Sequence, residues 1–165
     1  MGMVKVYLVM PDLSRAKVEA LARLSLERPV SILVSYSTFL LKHATLERLR
    51  ELRGRAYSLE VMLDSGAYHM ARLGIEIGVE DYAGFASRHQ GLFDVVVAPD
   101  VPGDCGATLR RTLEFGRLYG GPFLPVVQGR SLDEYALCRA TLWEAGLAGE
   151  VLGVGGLDGE RRRPG

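Results

Sequence analysis

Residues 59–68 read LEVMLDSGAY. Leu59, Val61, Met62 and Leu63 have the apolar character of a short buried strand, and the run stops at a carboxylate. Ser65 and Gly66 then supply turn chemistry, and Tyr68 sets an aromatic ring just beyond the bend. Such a segment is either a strand ending in an ordinary turn or a strand tip that holds a planar ligand. The strands around it decide between the two.

Outward from this stretch, similar apolar runs recur at KVYLVM (5–10), VSILVSY (30–36), FDVVVAPD (93–100), PFLPVVQG (122–129) and EVLGVGGL (150–157). Helical patterns separate them at 13–27, 44–54, 79–89, 104–121 and 131–147. Ser14 and Thr45 are N-terminal signals, Gly54 and Gly120-Gly121 are stops, and Ser131 with Glu134 forms a capping-box pattern. Continuous apolar strands, each followed by a helix, imply a parallel sheet covered by helices. An open doubly wound sheet and an α/β barrel both fit, and both collect their chemistry at the carboxyl ends of the strands.

The 165 residues are 48% hydrophobic and carry no net charge, which suits one domain with a real core. No apolar run approaches the ~18 residues of a membrane span. MGMVKVYLVM lacks a signal-peptide cleavage region and the Ser/Thr of a myristoylation pattern, so a soluble, cytoplasmic chain is expected. Cys105 and Cys138 stand singly within helical patterns and read as small buried hydrophobes rather than metal or redox groups. Arg48, Arg50, Arg53 and Arg55, like Arg110 and Arg111, read as solvated helix faces, and the RRRPG tail as a helix edge. His43 and His89 read as helix-end residues, whereas His69 follows the DSGAY turn and approaches whatever the turn encloses.

Polar residues at successive strand ends carry the functional signal. The third run ends in Asp64-Ser65-Gly66, the fourth in Pro99-Asp100, the fifth in Gln128-Gly129 and the sixth in Gly155-Gly156-Leu157. Each alone is ordinary capping or turn chemistry. Together they line one rim. Two carboxylates and an amide pair with the edge of an amide-like heterocycle, and the glycines allow close backbone approach. Tyr68 offers a ring on which a base can stack. Carboxylates also serve glycosyl chemistry, as proton carriers or beside an oxocarbenium-like centre.

LDSGAY (63–68), APD (98–100), VVQG (126–129) and GVGGL (153–157), in that order, resemble the tRNA-guanine (queuine) transglycosylase superfamily. Ala67, where the family's usual motif has a second glycine, looks more like its branch of DNA 7-deazaguanine transglycosylases. The resemblance spans about residues 59–157. It implies a TIM-barrel-like fold, here six βα units of an incomplete barrel in a single domain over 1–165. It implies a pentosyltransferase that exchanges guanine for a 7-deazaguanine in tRNA or DNA, without a cofactor. Asp64 would be the catalytic acid/base, Ser65 would hold the base and Tyr68 would stack on it. Asp100 would read the donor edge of the ring and Gln128 its carbonyl side, with Gly155 and Gly156 giving backbone contact.

Two departures shape the expectation. The family's nucleophilic aspartate follows the GGL turn on a further strand, and its Cys/His zinc cluster lies further on. Neither has a counterpart in this sequence, and Asp104 and Asp158 do not match the nucleophile's motif. A homo-oligomer or a completing partner is therefore expected, because an incomplete barrel leaves strand edges open. A non-catalytic base-binding subunit and an unrelated α/β barrel enzyme are the alternatives.

Overall fold

A computed structural model describes residues 5–149 and 151–155 of the chain. Its architecture is mixed α/β. Among the described residues six strands run in chain order: β1 (Leu8–Val9), β2 (Val30–Ser35), β3 (Leu59–Asp64), β4 (Val95–Val96), β5 (Val126–Val127) and β6 (Gly153–Val154). Seven α-helices lie among the described residues: α1 (Arg15–Glu27), α2 (Tyr36–Leu40), α3 (Leu46–Arg55), α4 (Ala67–Arg72), α5 (Val79–Arg88), α6 (Cys105–Tyr119) and α7 (Leu132–Glu144).

The first four strands form one parallel sheet in the order β1-β2-β3-β4, and β5 pairs parallel with β6. A bridge from Val97 to Leu124 joins the two sets, with Leu124 N donating to Val96 O (2.8 Å) and Ala98 N to Leu124 O (2.9 Å). Neighbours in space are thus neighbours in sequence, and the strand order does not reverse as it does in a doubly wound sheet. Right-handed crossovers that always step in one direction place their helices on one face of the sheet.

Burial along the strands agrees with that geometry. Val30, Ile32 and Val34 of β2, and Val61 and Leu63 of β3, are buried with Val18, Leu21, Leu49, Leu52 and Tyr82 from the helices. The alternate residues Ser31, Leu33, Ser35, Met62 and Asp64 are only half-buried. Because side chains alternate along a strand, these residues form the opposite face. Register places Ser35 directly beside Asp64 at the carboxyl ends of β2 and β3.

Local chemistry explains most element ends. Thr45 and Asp104 cap α3 and α6 by accepting from Arg48 N (3.2 Å) and Ala107 N (2.8 Å). Gly120 ends α6 in the left-handed conformation at φ 69°. Gly54 is a correction, because α3 runs through it to Arg55 and an extended Ala56 ends the helix. At α7, Ser131 Oγ accepts from Glu134 N (3.3 Å), but the Glu134 carboxylate takes the amide of Arg130 (2.6 Å). The reciprocal bond has moved one residue outward.

Two short helices, α2 and α4, lie where the sequence reads as strand end and turn. The strands are shorter than the apolar runs, because loop backbone takes over where ladder bonds stop; FDVVVAPD keeps only Val95–Val96 as strand. Cys105 and Cys138 also depart from expectation, forming a disulfide with a Cα–Cα distance of 5.5 Å. Most of the four arginines on α3 are engaged rather than free. Arg48 pairs with Glu51 (2.6 Å), Arg53 with Asp94 (2.5 Å) and Arg55 with Glu19 and Glu51.

Candidate functional site

The carboxyl end of β3 runs into α4 through Asp64-Ser65-Gly66. Asp64 Oδ2 accepts from Gly66 N (2.8 Å), which folds the chain back at once. Gly66 has φ 70°, and a Cβ there would sit 3.0 Å from Ser35 Cβ and collide with Ser37. Only glycine fits this bend. Ser65 Oγ accepts from Ala67 N (3.2 Å) in the first turn of α4, and the residue is fully buried. That hydroxyl is thus engaged within the turn. Tyr68 stands on α4 with 54% of its surface exposed, so its ring is open to a partner.

At the other tips the structure brings Asp100, Gln128 and Gly155 together. Gln128, only 1% exposed, donates from Nε2 to Asp100 Oδ2 and accepts at Oε1 from Gly103 N (3.1 Å). Its amide therefore holds the carboxylate and the following loop, and Asp100 keeps Oδ1 for other contacts. A Cβ on Gly155 would lie 2.9 Å from Asp100 Oδ2 and collide with the Gln128 amide. Glycine at 155 lets the β6 backbone approach this pair. Gly155 N donates to Val127 O (3.1 Å), and its carbonyl accepts from the Tyr135 hydroxyl (2.6 Å). Gly156 and Asp158 lie outside the described residues.

The Asp100 carboxylate bears on Asp64. Burial pushes the Asp64 carboxyl above its usual range, and the Asp100 charge adds to this against the amides of Gly66 and Ser65. Burial likewise raises Asp100, opposed by the Gln128 amide and by Arg111. A carboxyl raised in this way holds its proton to higher pH than an exposed one. Beneath them the wholly buried Tyr82 donates its hydroxyl to Val97 O (2.8 Å), with Leu63 O at 3.3 Å, tying β3 to β4 just below the tips. Its phenol is held well above its ordinary value, first by burial and then by Asp64.

A cavity of about 290 Å³ opens beside Asp100, lined by Ala67, Ala71, Ile77, Pro102 and Arg111 among others. Arg111 closes one side, donating to Glu76 (2.7 Å) and towards Ile77 O (3.4 Å). Ser35, Tyr82 and Tyr135 escape sequence reasoning, and Arg111 reads there only as part of a solvated helix face. Ser35 alone leaves a signal, as a polar residue near the end of VSILVSY; Tyr82 and Tyr135 sit within helical patterns. Asp104 serves as the cap of α6. His69 is exposed on α4, and His89 ends α5 edge-on to Phe85 at 4.9 Å, with burial lowering its imidazole.

Set against family models, curated proteins and solved structures, the chain matches none of them. No helix among the described residues is long and apolar enough to cross a membrane.

Proposed function

We propose that the protein binds guanine or a 7-deazaguanine at its strand tips, as a transglycosylase-type pentosyltransferase acting on tRNA or DNA. The observation that carries this reading is the junction of Asp100, Gln128 and Gly155 beside Asp64. It combines an oriented, half-buried carboxylate, a glycine backbone and a second carboxyl. Asp100 Oδ1 accepts from the N–H edge of the base, and Gln128 acts behind it as a positioning residue. Asp64, with its carboxyl raised by burial, passes a proton to the departing base and takes one from the incoming base. Tyr68 supplies the stacking face.

The fold reading that goes with this function is a TIM-barrel-like winding. Parallel strands in sequence order and helices on one face support it. Among the described residues strand β1 pairs on one side only, and Val6 and Val9 are 68% and 69% exposed, which supports a homo-oligomer or a completing partner. A base-binding subunit that relies on a partner for chemistry is favoured by one observation, that Asp104 is committed to capping α6.

Calorimetric titration with guanine and 7-deazaguanine tests the proposal. Binding by the wild type, weakened at least tenfold in Asp100→Ala, is the expected outcome. No binding by the wild type sinks the base reading, and binding indifferent to Asp100→Ala sinks the assignment. Incorporation of labelled guanine into tRNA or DNA separates an enzyme from a binding subunit.

A further inference from the structure

The Cys105–Cys138 disulfide lies directly behind the Asp100–Gln128 pair. Gln128 N donates to Cys138 Sγ (3.5 Å), so the disulfide touches the strand end that carries the site amide. On the other side, Asp100 leads through Val101, Pro102 and Gly103 to Asp104, and Cys105 opens α6. Gly103 N donates to Gln128 Oε1 (3.1 Å), and Val101 N donates to Thr108 Oγ1 (2.9 Å). One covalent bond therefore fixes both the loop and the strand that together orient the Gln128 amide.

The two sulfurs differ in access. Cys138 is wholly buried, whereas Cys105 is half-buried and lines an open cleft of about 280 Å³ with Gly103, Asp104, Arg130, Glu134 and Leu137. The Arg130 side chain lies across Gly103, its Nε 3.1 Å from where a Cβ on that glycine would be. One guanidinium, Arg130, and two carboxylates, Asp104 and Glu134, line the same cleft as this sulfur, which suits a small thiol that carries carboxylates together with an ammonium group. Cys105 is also the first residue of a 15-residue helix, whose N-terminal partial charge favours a thiolate at that sulfur and so helps Cys105 leave a mixed disulfide.

We propose that this cleft is a thiol–disulfide exchange site for a low-molecular, carboxylate-bearing thiol, and that the disulfide is a redox-sensitive clamp on the Asp100–Gln128 pair. The thiolate attacks Cys105 Sγ, and the bond to Cys138 breaks with its electron pair leaving on Cys138 Sγ, which takes a proton. A second molecule of thiol attacks the mixed disulfide, releasing the Cys105 thiol and the oxidised, dimeric form of the small thiol. The protein gains two electrons and two protons, and two small thiols lose them. In the dithiol form α6 and α7 are no longer tied, and the Val101–Gly103 loop loosens its hold on Gln128.

The probe is glutathione, and the main readout needs no ligand. The full-length chain is incubated with oxidised glutathione, then denatured and alkylated; no alkylation is expected, and two alkyl groups overturn the proposal. Amide hydrogen exchange is then compared between this form and the chain reduced with glutathione. Gly103 and Gln128 are expected to exchange at least tenfold faster after reduction, with Val61 and Leu63 unchanged; equal exchange at Gly103 and Gln128 overturns the clamp. With oxidised glutathione, Cys138→Ala is expected to take an adduct on Cys105 at least tenfold faster than Cys105→Ala takes one on Cys138. The reverse order overturns the entry route, and the wild-type exchange experiment stands even if either variant fails to fold.

Discussion

The two hydrophobic clusters of this molecule are unequal, and they are held together by different means. The larger packs β2, β3 and β4 against α1, α3, α5 and α6, with an aromatic chain from Phe39 and Phe85 through Tyr36 and Tyr82 to Phe115 and Tyr119. The smaller has only Val127, Cys138 and Leu142 fully inside, edged by Leu109, Tyr135 and Leu152. Where burial is broad, packing and the buried Tyr82 hydroxyl hold the strand tips. Where it is narrow, a disulfide takes over. The candidate site straddles the seam, with Asp64 on the first cluster and Gln128 on the second.

The largest expected effect tests the first half of that contrast. Phe115 is fully buried and stacks between Tyr82 (5.2 Å) and Tyr119 (5.1 Å) while meeting Phe123 edge-on (5.5 Å). Phe115→Ala should cost about 3–5 kcal/mol, the range for a buried aromatic truncated in a packed core. Urea unfolding followed by tryptophan fluorescence measures it. A loss below about 1 kcal/mol would show that the aromatic chain is not continuous packing.

The second half should respond to thiol chemistry rather than to truncation. Breaking a cross-link between residues 33 apart releases chain entropy worth roughly 3–4 kcal/mol. The loss should show in the Cys105→Ser, Cys138→Ala double variant as a lowered urea midpoint. Guanine affinity should fall with it if the base reading holds. In Phe115→Ala, by contrast, stability should drop while glutathione leaves the Cys105–Cys138 exchange equilibrium near its wild-type position. Two variants with the same effect on both readouts would erase the distinction between the clusters.

The sequence was informative where one residue type has one local use. Helices α1, α5, α6 and α7 follow from the helical patterns of the sequence, with Ser14 and Ser131 at the starts of α1 and α7. The parallel sheet follows from continuous apolar runs, and its rim from Asp64, Asp100, Gln128 and Gly155. What stayed hidden depends on contacts between distant segments. Nothing in DSGAY says that Ser65 turns inward, because that depends on α4 beginning at Ala67 and on Ser37 filling the space beside Gly66. Gln128 looks like a ligand contact in VVQG; only the folded chain reveals that Asp100 and Gly103 claim its amide. The disulfide is hidden for the same reason, since spacing alone does not set two cysteines on adjacent helices side by side.

The smallest expected effect concerns the carboxylate that faces the seam. Ionising Asp64 carries a cost in the folded chain, because burial and the nearby Asp100 charge raise its carboxyl above its unfolded value of 3.8. The unfolded chain therefore loses that proton first as pH rises. The stability associated with the protonated carboxyl is complete below the unfolded value and declines as pH climbs through the raised folded value. Asn at 64 keeps an oxygen to accept from Gly66 N but carries no charge. Asp64→Asn should then raise stability at pH 7 by roughly 0.5–2 kcal/mol, the range for relieving one unfavourable functional-site group. The gain should shrink towards zero below the unfolded value, and thermal melts at several pH values read it directly. A gain that persists unchanged in acid would assign the effect to packing. A loss at neutral pH would mean that the Gly66 and Ser65 amides outweigh burial, leaving Asp64 an ordinary turn carboxylate rather than a proton carrier.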